Sequence, residues 1–175
     1  MLAVDSVLEH LAKTPRELGG ALDGRSEREL SRRPDAENWS ATEIICHLRD
    51  VEELFQVRFH TILAVHEPQI FVLGASASEL APWRVGGAIR HPLDPVRWAE
   101  DRQYARNDAH EAHAAFARRR EEVLTVLRSL PAEDWQRVGI HAARGRLTLR
   151  DWVTSLAAHD DNHLDQLRRA LEGRP

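Results

Sequence analysis

The sequence contains one cysteine and no long apolar run. The lone thiol, Cys46, excludes an internal disulfide and any zinc site built on several thiolates. No stretch approaches the roughly 18 apolar residues that a membrane-spanning helix requires, and the chain does not open on the basic and apolar segments of a secretory signal. We therefore expect a cytoplasmic protein in which any metal is held by nitrogen and oxygen ligands.

Positive charge is not in excess either. The 24 basic and 28 acidic side chains give a net charge of -4, so the chain would repel a phosphate backbone. A composition of 42% hydrophobic and 30% charged residues is typical of a globular protein, and 175 residues can bury a core of their own. We expect one domain spanning 1–175 that binds small molecules rather than nucleic acid or membrane.

Two amphipathic helices are predicted in the first third of the chain. Apolar residues recur at helical spacing from residue 4 to residue 22, where Pro15 predicts a kink or a break. A second helix should start at residue 41, because Ser40 and Glu43 have the spacing of a capping box. Its apolar stripe continues for about six turns toward Pro68.

Two more helices are predicted in the second half, at about 107–130 and from the N-cap Thr148 to about residue 171. The arginines at 118–120 are interpreted as a solvated face. Between 68 and 104 scattered glycines and prolines indicate a long connection with one short helix near 96–102, and we predict no strands. The pattern favours an all-α four-helix bundle, and the long connection argues against a simple up-down-up-down order.

Three histidines fall on the apolar stripes of facing helices. His159 and His163 are four residues apart in LAAHDDNHLDQL, so they share one helix face, and His47 lies on the stripe of the second helix. Three inward imidazoles are expensive to bury without partners, and three ligands leave a metal open to water or substrate. We predict a divalent-metal site, in which Asp50 and Gln166 are candidates to orient an imidazole or hold a metal-bound water.

Other candidate groups are weaker. His110 and His113 are one turn apart and could form a second pair, and His141 could close one end of the site. A catalytic Cys46–His47 pair is disfavoured, because adjacent helical residues project about 100° apart. Ser155 is one turn before His159, but no Gly-x-Ser-x-Gly elbow accompanies it.

With the histidines placed, the chain resembles the DinB-like superfamily, particularly its YfiT-like branch of metal-dependent enzymes. The matching segments are Trp39-Ser40-Ala41-Thr42-Glu43, His47-Leu48-x-Asp50-x-Glu52, Leu147-Thr148-Leu149 and His159-x-x-x-His163-Leu164-x-Gln166-Leu167. Two departures are Asn162, where the family often has histidine, and Ala142, where it often has proline.

The resemblance implies a bundle of up-down-down-up order, frequently a homodimer, with zinc or nickel held by His47, His159 and His163. Some members transfer a low-molecular-weight thiol such as bacillithiol, mycothiol or glutathione to an electrophile, and others are thiol-dependent isomerases. We expect thiol transfer here, because a cation bound by neutral imidazoles lowers the pKa of a thiol that it binds. The alternatives are a hydrolase that uses metal-bound water and a non-catalytic, stress-related metal-binding bundle.

Overall fold

The computed structural model describes residues 4–70 and 95–175 as a helical bundle. Its long helices are α1 (Val4–Leu22), α3 (Ala41–Ala64), α5 (Ala109–Arg128) and α6 (Leu149–Leu171), and its short ones are α2 (Glu27–Leu30) and α4 (Pro95–Asp101). The predicted all-α four-helix bundle is confirmed. Most of the predicted connection, residues 71–94, lies outside the described residues. Within the described ranges, no helix has the length and apolar character needed to cross a bilayer.

The direction of each long helix follows from the residues that it pairs. Residue numbers of contacting residues increase in the same direction along α1 and α6, and along α3 and α5, so each of these pairs is parallel. Along α1 and α5 they increase in opposite directions, so this pair is antiparallel. The pairs are His10–Asp161 and Glu17–Arg168, then Glu52–Arg120 and Gln56–Glu122, and finally Leu11–Arg120 and Pro15–His113. The bundle therefore has the up-down-down-up order that the resemblance implied.

Capping boxes fix the starts of the two helices that carry the histidines. The Ser40 hydroxyl accepts from the backbone N–H of Glu43 at the start of α3. Thr148 and Asp151 form the same arrangement at the start of α6. Both predicted starts are confirmed, because each box satisfies amide groups that have no partner within the helix.

Pro15 does not break α1, which continues from Val4 to Leu22. A proline has no N–H, so the carbonyl of Leu11 one turn earlier loses its helical donor. The guanidinium of Arg120 replaces that donor at 2.9 Å. The carbonyl of Pro15 itself is 2.7 Å from Nε2 of His113. Of the predicted kink or break, the break is therefore wrong, because a neighbouring helix satisfies the backbone group that proline frees, and the kink stays a prediction.

A small sheet corrects the prediction that the chain has no strands. It consists of β1 (Gln69–Ile70), β2 (Val138–His141) and β3 (Gly145–Thr148), in that order. β1 pairs parallel to β2, and β2 pairs antiparallel to β3. Gly145 has a φ of 72°, the left-handed conformation that glycine adopts at no steric cost. The strands have four residues or fewer, too few for a period-two pattern to stand out.

The apolar core is split into two clusters by a polar belt at mid-height. One cluster holds Leu11, Phe55 and Trp152, and the other holds Ile44 and Phe116. The belt consists of side chains from all four long helices, namely Thr14, His47, Glu52, Arg120, His159, Asp160 and His163. The predicted solvated face at 118–120 is wrong for Arg120, which is 1% exposed. The candidate chemistry lies in this belt.

Candidate metal centre

The structure brings the three predicted histidines to one point in the polar belt. One ring nitrogen from each of His47, His159 and His163 lies within 4.8 Å of the other two. Nε2 of His47 is 3.2 Å from Nε2 of His159. His47 is 3% exposed, and the two histidines of α6 are half-buried. The cluster therefore spans the contact between α3 and α6 and reaches toward the surface on the α6 side.

All three imidazoles are held neutral. Burial, together with the nearby His163 ring, lowers the pKa of His47 to about 3. Burial and the neighbouring His163 and His47 rings lower the pKa of His159 to about 2. Burial also lowers the pKa of His163. Neutral imidazole is the form that offers a lone pair to a metal ion.

Gln166 sets the tautomer of His163. Nδ1 of His163 donates to Oε1 of Gln166 at 2.7 Å, which leaves Nε2 of that ring as a lone-pair acceptor facing the cluster. This geometry agrees with the predicted orienting role, which itself stays a prediction. A carbonyl-type acceptor on the far ring nitrogen is also the usual outer contact of a metal-ligating histidine.

Two of the three ring nitrogens have the spacing of ligands to one divalent cation. Two ligands each 2.0–2.1 Å from a tetrahedral ion are about 3.3 Å apart, close to the 3.2 Å between Nε2 of His47 and Nε2 of His159. The Nδ1 atoms of these two rings are buried and have no hydrogen-bond partner among residues 4–70 and 95–175. Imidazole nitrogens suit zinc and nickel, and three of them leave coordination positions open.

Asp50 does not contact the imidazoles in the manner predicted. Its carboxylate accepts from Arg49 at 2.8 Å and from the Tyr104 hydroxyl at 2.8 Å, and it pairs with Arg102 at 3.0 Å. Burial raises the pKa of Asp50, but the bonds from Arg49 and Tyr104 outweigh this and hold it below its usual range. The carboxylate is therefore occupied by cationic and phenolic donors, and a part in the chemistry stays a prediction.

A groove of about 470 Å³ opens beside His159. Its lining comes from one face of α6 and from the β2–β3 turn, namely Arg144, Asp151, Thr154, Ser155, Ala158, His159 and Asn162. Nη1 of Arg144 donates to the Ser155 hydroxyl at 3.1 Å. The groove therefore carries several polar side chains, among them a guanidinium close to the histidine cluster.

His141 supports this groove and does not join the histidine cluster. Its Nδ1 accepts from the backbone N–H groups of Ala143 and Arg144, at 3.1 and 3.2 Å. Its ring lies 5.4 Å from that of Trp152. His141 thus fixes the turn that carries Arg144, and closure of one end of the site stays a prediction.

The remaining candidates do not assemble a site. Within residues 4–70 and 95–175, His47, His159 and His163 are the group of metal-ligating side chains that converges. His113 is bound to the Pro15 carbonyl, and His110 is exposed. The possible second pair stays a prediction.

The two nucleophilic alternatives also fail. The Ser155 hydroxyl donates to the Asp151 carbonyl one turn earlier, rather than to His159. Burial raises the pKa of Cys46 to about 12, so this thiol stays protonated at neutral pH. Neither side chain is activated for attack.

Three aromatic or cationic neighbours of the site escaped the sequence analysis. The Trp39 ring lies 5.1 Å from that of His47, and Tyr104 packs 6.5 Å from Trp39. Arg58 is buried, lies 4.7 Å from the centroid of the Phe55 ring and has its pKa lowered by burial to about 10. Trp39 entered only as a family motif, and Tyr104 stands at the end of a connection with no periodic pattern.

Comparison with known proteins identifies the family of the chain. A family model described as the DinB superfamily matches residues 10–167. The chain belongs to the DinB superfamily. An uncharacterized protein, YuaE of Bacillus subtilis (strain 168), is 25% identical over 165 residues, which cover 86% of this chain and 88% of that protein.

A solved structure supports the same fold. It is described as YfiT from Bacillus subtilis, a probable metal-dependent hydrolase with an unusual four-helix bundle topology. The two structures superpose with a TM-score of 0.78 over 97% of this chain and 88% of that chain, at 17% identity. At this identity the likeness establishes the bundle and its topology.

Proposed function

We propose that this protein is a metal-dependent enzyme in which His47, His159 and His163 bind one divalent cation, zinc or nickel. The observation that carries the proposal is the convergence of three neutral imidazole nitrogens within 4.8 Å, next to a groove that His159 and Arg144 line. A purely structural metal site is normally closed by a fourth protein ligand. Three ligands beside a groove favour catalysis.

Each residue near the site has a defined task in this proposal. A divalent cation bound there supplies a Lewis acid that lowers the pKa of a thiol or water molecule bound at an open position. Gln166 fixes the ring of His163, and Trp39 covers that of His47. Since the imidazoles are neutral, they leave the positive charge of the ion undiminished.

The first candidate reaction is transfer of a low-molecular-weight thiol to an electrophilic small molecule. Such thiols carry carboxylates, which guanidinium groups bind through paired hydrogen bonds. Arg144 presents a guanidinium in the groove that His159 lines. Ser155, already hydrogen-bonded to it, and Asn162 add polar groups on the same wall.

The second candidate is hydrolysis of an ester or amide by activated water. It is supported by the solved relative described as a probable metal-dependent hydrolase. Both reactions need the same three ligands, so the nucleophile distinguishes them. By resemblance to the family we also propose a homodimer, which light scattering on purified protein would test.

The test compares metal-loaded wild type with His159→Ala, and uses His60→Ala, an exposed histidine on α3, as the matched control. Each protein is incubated with monochlorobimane and a panel of small thiols, and separately with nitrophenyl esters and anilides. Thiol transfer predicts conjugation that His159→Ala abolishes and His60→Ala retains. Ester or anilide turnover with the same dependence would support hydrolysis instead. Metal content below about one ion per chain in the wild type would contradict both.

A further inference from the structure

Arg120 uses every one of its hydrogen-bond donors inside the polar belt. Its Nε and Nη2 atoms donate to the two oxygens of Glu52, at 2.7 and 2.6 Å. Nη1 and Nη2 donate to Asp160 at 2.7 and 3.3 Å, and Nη1 also donates to the Leu11 carbonyl at 2.9 Å. Thr14 adds a bond to Asp160 at 2.9 Å. A guanidinium has five N–H groups, and all five are satisfied.

One side chain therefore contacts all four long helices. Arg120 belongs to α5, Glu52 to α3 and Asp160 to α6, while Leu11 and Thr14 belong to α1. Arg120, Glu52 and Asp160 are each 1% exposed or less. Water does not compete for such bonds, and the planar fork of arginine allows little change in the separation of its partners.

The same contacts join the two helices that carry the histidines. Glu52 lies five residues after His47 on α3, and Asp160 lies between His159 and His163 on α6. A slide of α3 along α6 would separate Nε2 of His47 from Nε2 of His159, now 3.2 Å apart. The same slide would have to break two paired sets of bonds on Arg120.

We propose that Arg120, with Glu52 and Asp160, is a positioning residue for the metal centre, which holds α3 and α6 in the register at which the three imidazoles meet. The inference rests on the proposed function, because the alignment of α3 with α6 matters only if the three imidazoles bind a metal ion. Metal sites need ligands held to within about 0.5 Å, and groups outside the ligand shell that orient them are commonly worth 10- to 100-fold in metal affinity.

The test exchanges neighbouring carboxylates on α3. Glu52→Gln weakens the bonds to Arg120, whereas Glu53→Gln, the matched control, alters an exposed pair with Arg119. Zinc alone is the probe, and its Kd is measured by competition with a chromogenic chelator. We expect Kd to rise at least tenfold in Glu52→Gln and to stay within twofold in Glu53→Gln.

A second measurement reads the position of the rings without metal. Two-bond ¹H–¹⁵N spectra of the metal-free proteins report the signals of His159 and His163, which lie on a different helix from the exchanged carboxylates. We expect these signals to shift in Glu52→Gln and not in Glu53→Gln. Unchanged signals and an unchanged Kd in folded Glu52→Gln would overturn the inference. If the wild type bound neither zinc nor nickel, the proposed function would fail, and the imidazole signals alone would decide on Arg120.

Replacing all three side chains of the ion cluster tells a positioning role from a purely stabilising one. Replacing a buried ion triad with apolar residues often preserves stability, because no charge is left unpaired. The variant Glu52→Leu, Arg120→Met, Asp160→Leu should therefore melt close to the wild type while its zinc Kd stays at least tenfold weaker. Recovery of both the melting temperature and the zinc affinity would show that the ion cluster only stabilises the bundle.

Discussion

Two polar clusters lie side by side in the middle of the bundle, and they differ in how their polar atoms are satisfied. In the ion cluster, the five donors of Arg120 meet acceptors on Glu52, Asp160 and Leu11. In the histidine cluster, two Nε2 atoms face each other at 3.2 Å, and the Nδ1 atoms of the same two rings have no partner in the part of the chain that the structure describes. The first cluster is complete as it stands, whereas the second leaves ring nitrogens unsatisfied there.

This difference separates a structural polar core from a ligand site. Buried polar groups are normally hydrogen-bonded within the protein, and those that are not call for an explanation. Burial alone does not make the distinction, because both clusters are buried between the same helices. The balance of donors and acceptors does, and it assigns the positioning of the helices to the ion cluster and ligand binding to the histidines.

The largest expected effect comes from opening the ion cluster. Arg120→Met leaves the carboxylates of Glu52 and Asp160 buried without a cation, which typically costs about 3–5 kcal/mol in the free energy of unfolding. Arg119→Met, the control, removes a half-buried arginine from an exposed pair with Glu53 and should cost about 0–1 kcal/mol. Urea denaturation of both variants measures the difference. Equal losses in the free energy of unfolding would mean that Arg120 does not balance the buried carboxylates of the ion cluster.

Lowering the pH should destabilise the metal-free protein through its histidine cluster. The folded-state pKa values of His47 and His159, about 3 and about 2, lie below the ordinary histidine value of about 6.5. The unfolded chain therefore binds more protons below pH 6.5, and stability falls as the pH drops through that value. Between pH 7 and pH 5 each of these two imidazoles should lower the free energy of unfolding by about 2 kcal/mol.

The variant His159→Ala tests this by removing one of these imidazoles. It should lose about 2 kcal/mol less than the wild type between pH 7 and pH 5. Exposed His60→Ala should follow the wild type. Urea unfolding in the presence of a chelator gives all three values. A loss in His159→Ala as large as in the wild type would show that the folded protein accepts a proton on that ring.

Local signals in the sequence predicted much of the bundle. Ser40 with Glu43 and Thr148 with Asp151 marked the helix starts, and the four-residue spacing of His159 and His163 placed two candidate ligands on one face. These features depend on residues within one or two turns of each other, so they can be read without knowing the fold. The single domain spanning 1–175 stays a prediction.

What the sequence could not reveal depends on contacts between distant segments. Arg120 stands in a run of three arginines that looks solvated, and its burial depends on Glu52, 68 residues away. Pro15 is accommodated within α1 by the same arginine, which donates to the Leu11 carbonyl. Asp50 appeared suited to orient a histidine until Tyr104, from beyond the long connection, was found on its carboxylate. Each of these contacts comes from a partner that no local pattern identifies.

The smallest expected effect refines the histidine cluster itself. Gln166→Leu removes the acceptor on Nδ1 of His163, now at 2.7 Å, and frees that ring to change tautomer and orientation. The zinc Kd should rise about tenfold, equivalent to about 1.4 kcal/mol. Gln166→Glu keeps an acceptor and makes the ring a stronger ligand, so its Kd should equal or fall below that of the wild type. Chelator competition measures both Kd values. A Gln166→Leu protein that binds zinc as tightly as the wild type would show that the Gln166 amide has no part in metal binding. The free energy of unfolding should change by less than about 1 kcal/mol in either variant, because this contact lies at the half-buried edge of α6 and not in the ion cluster.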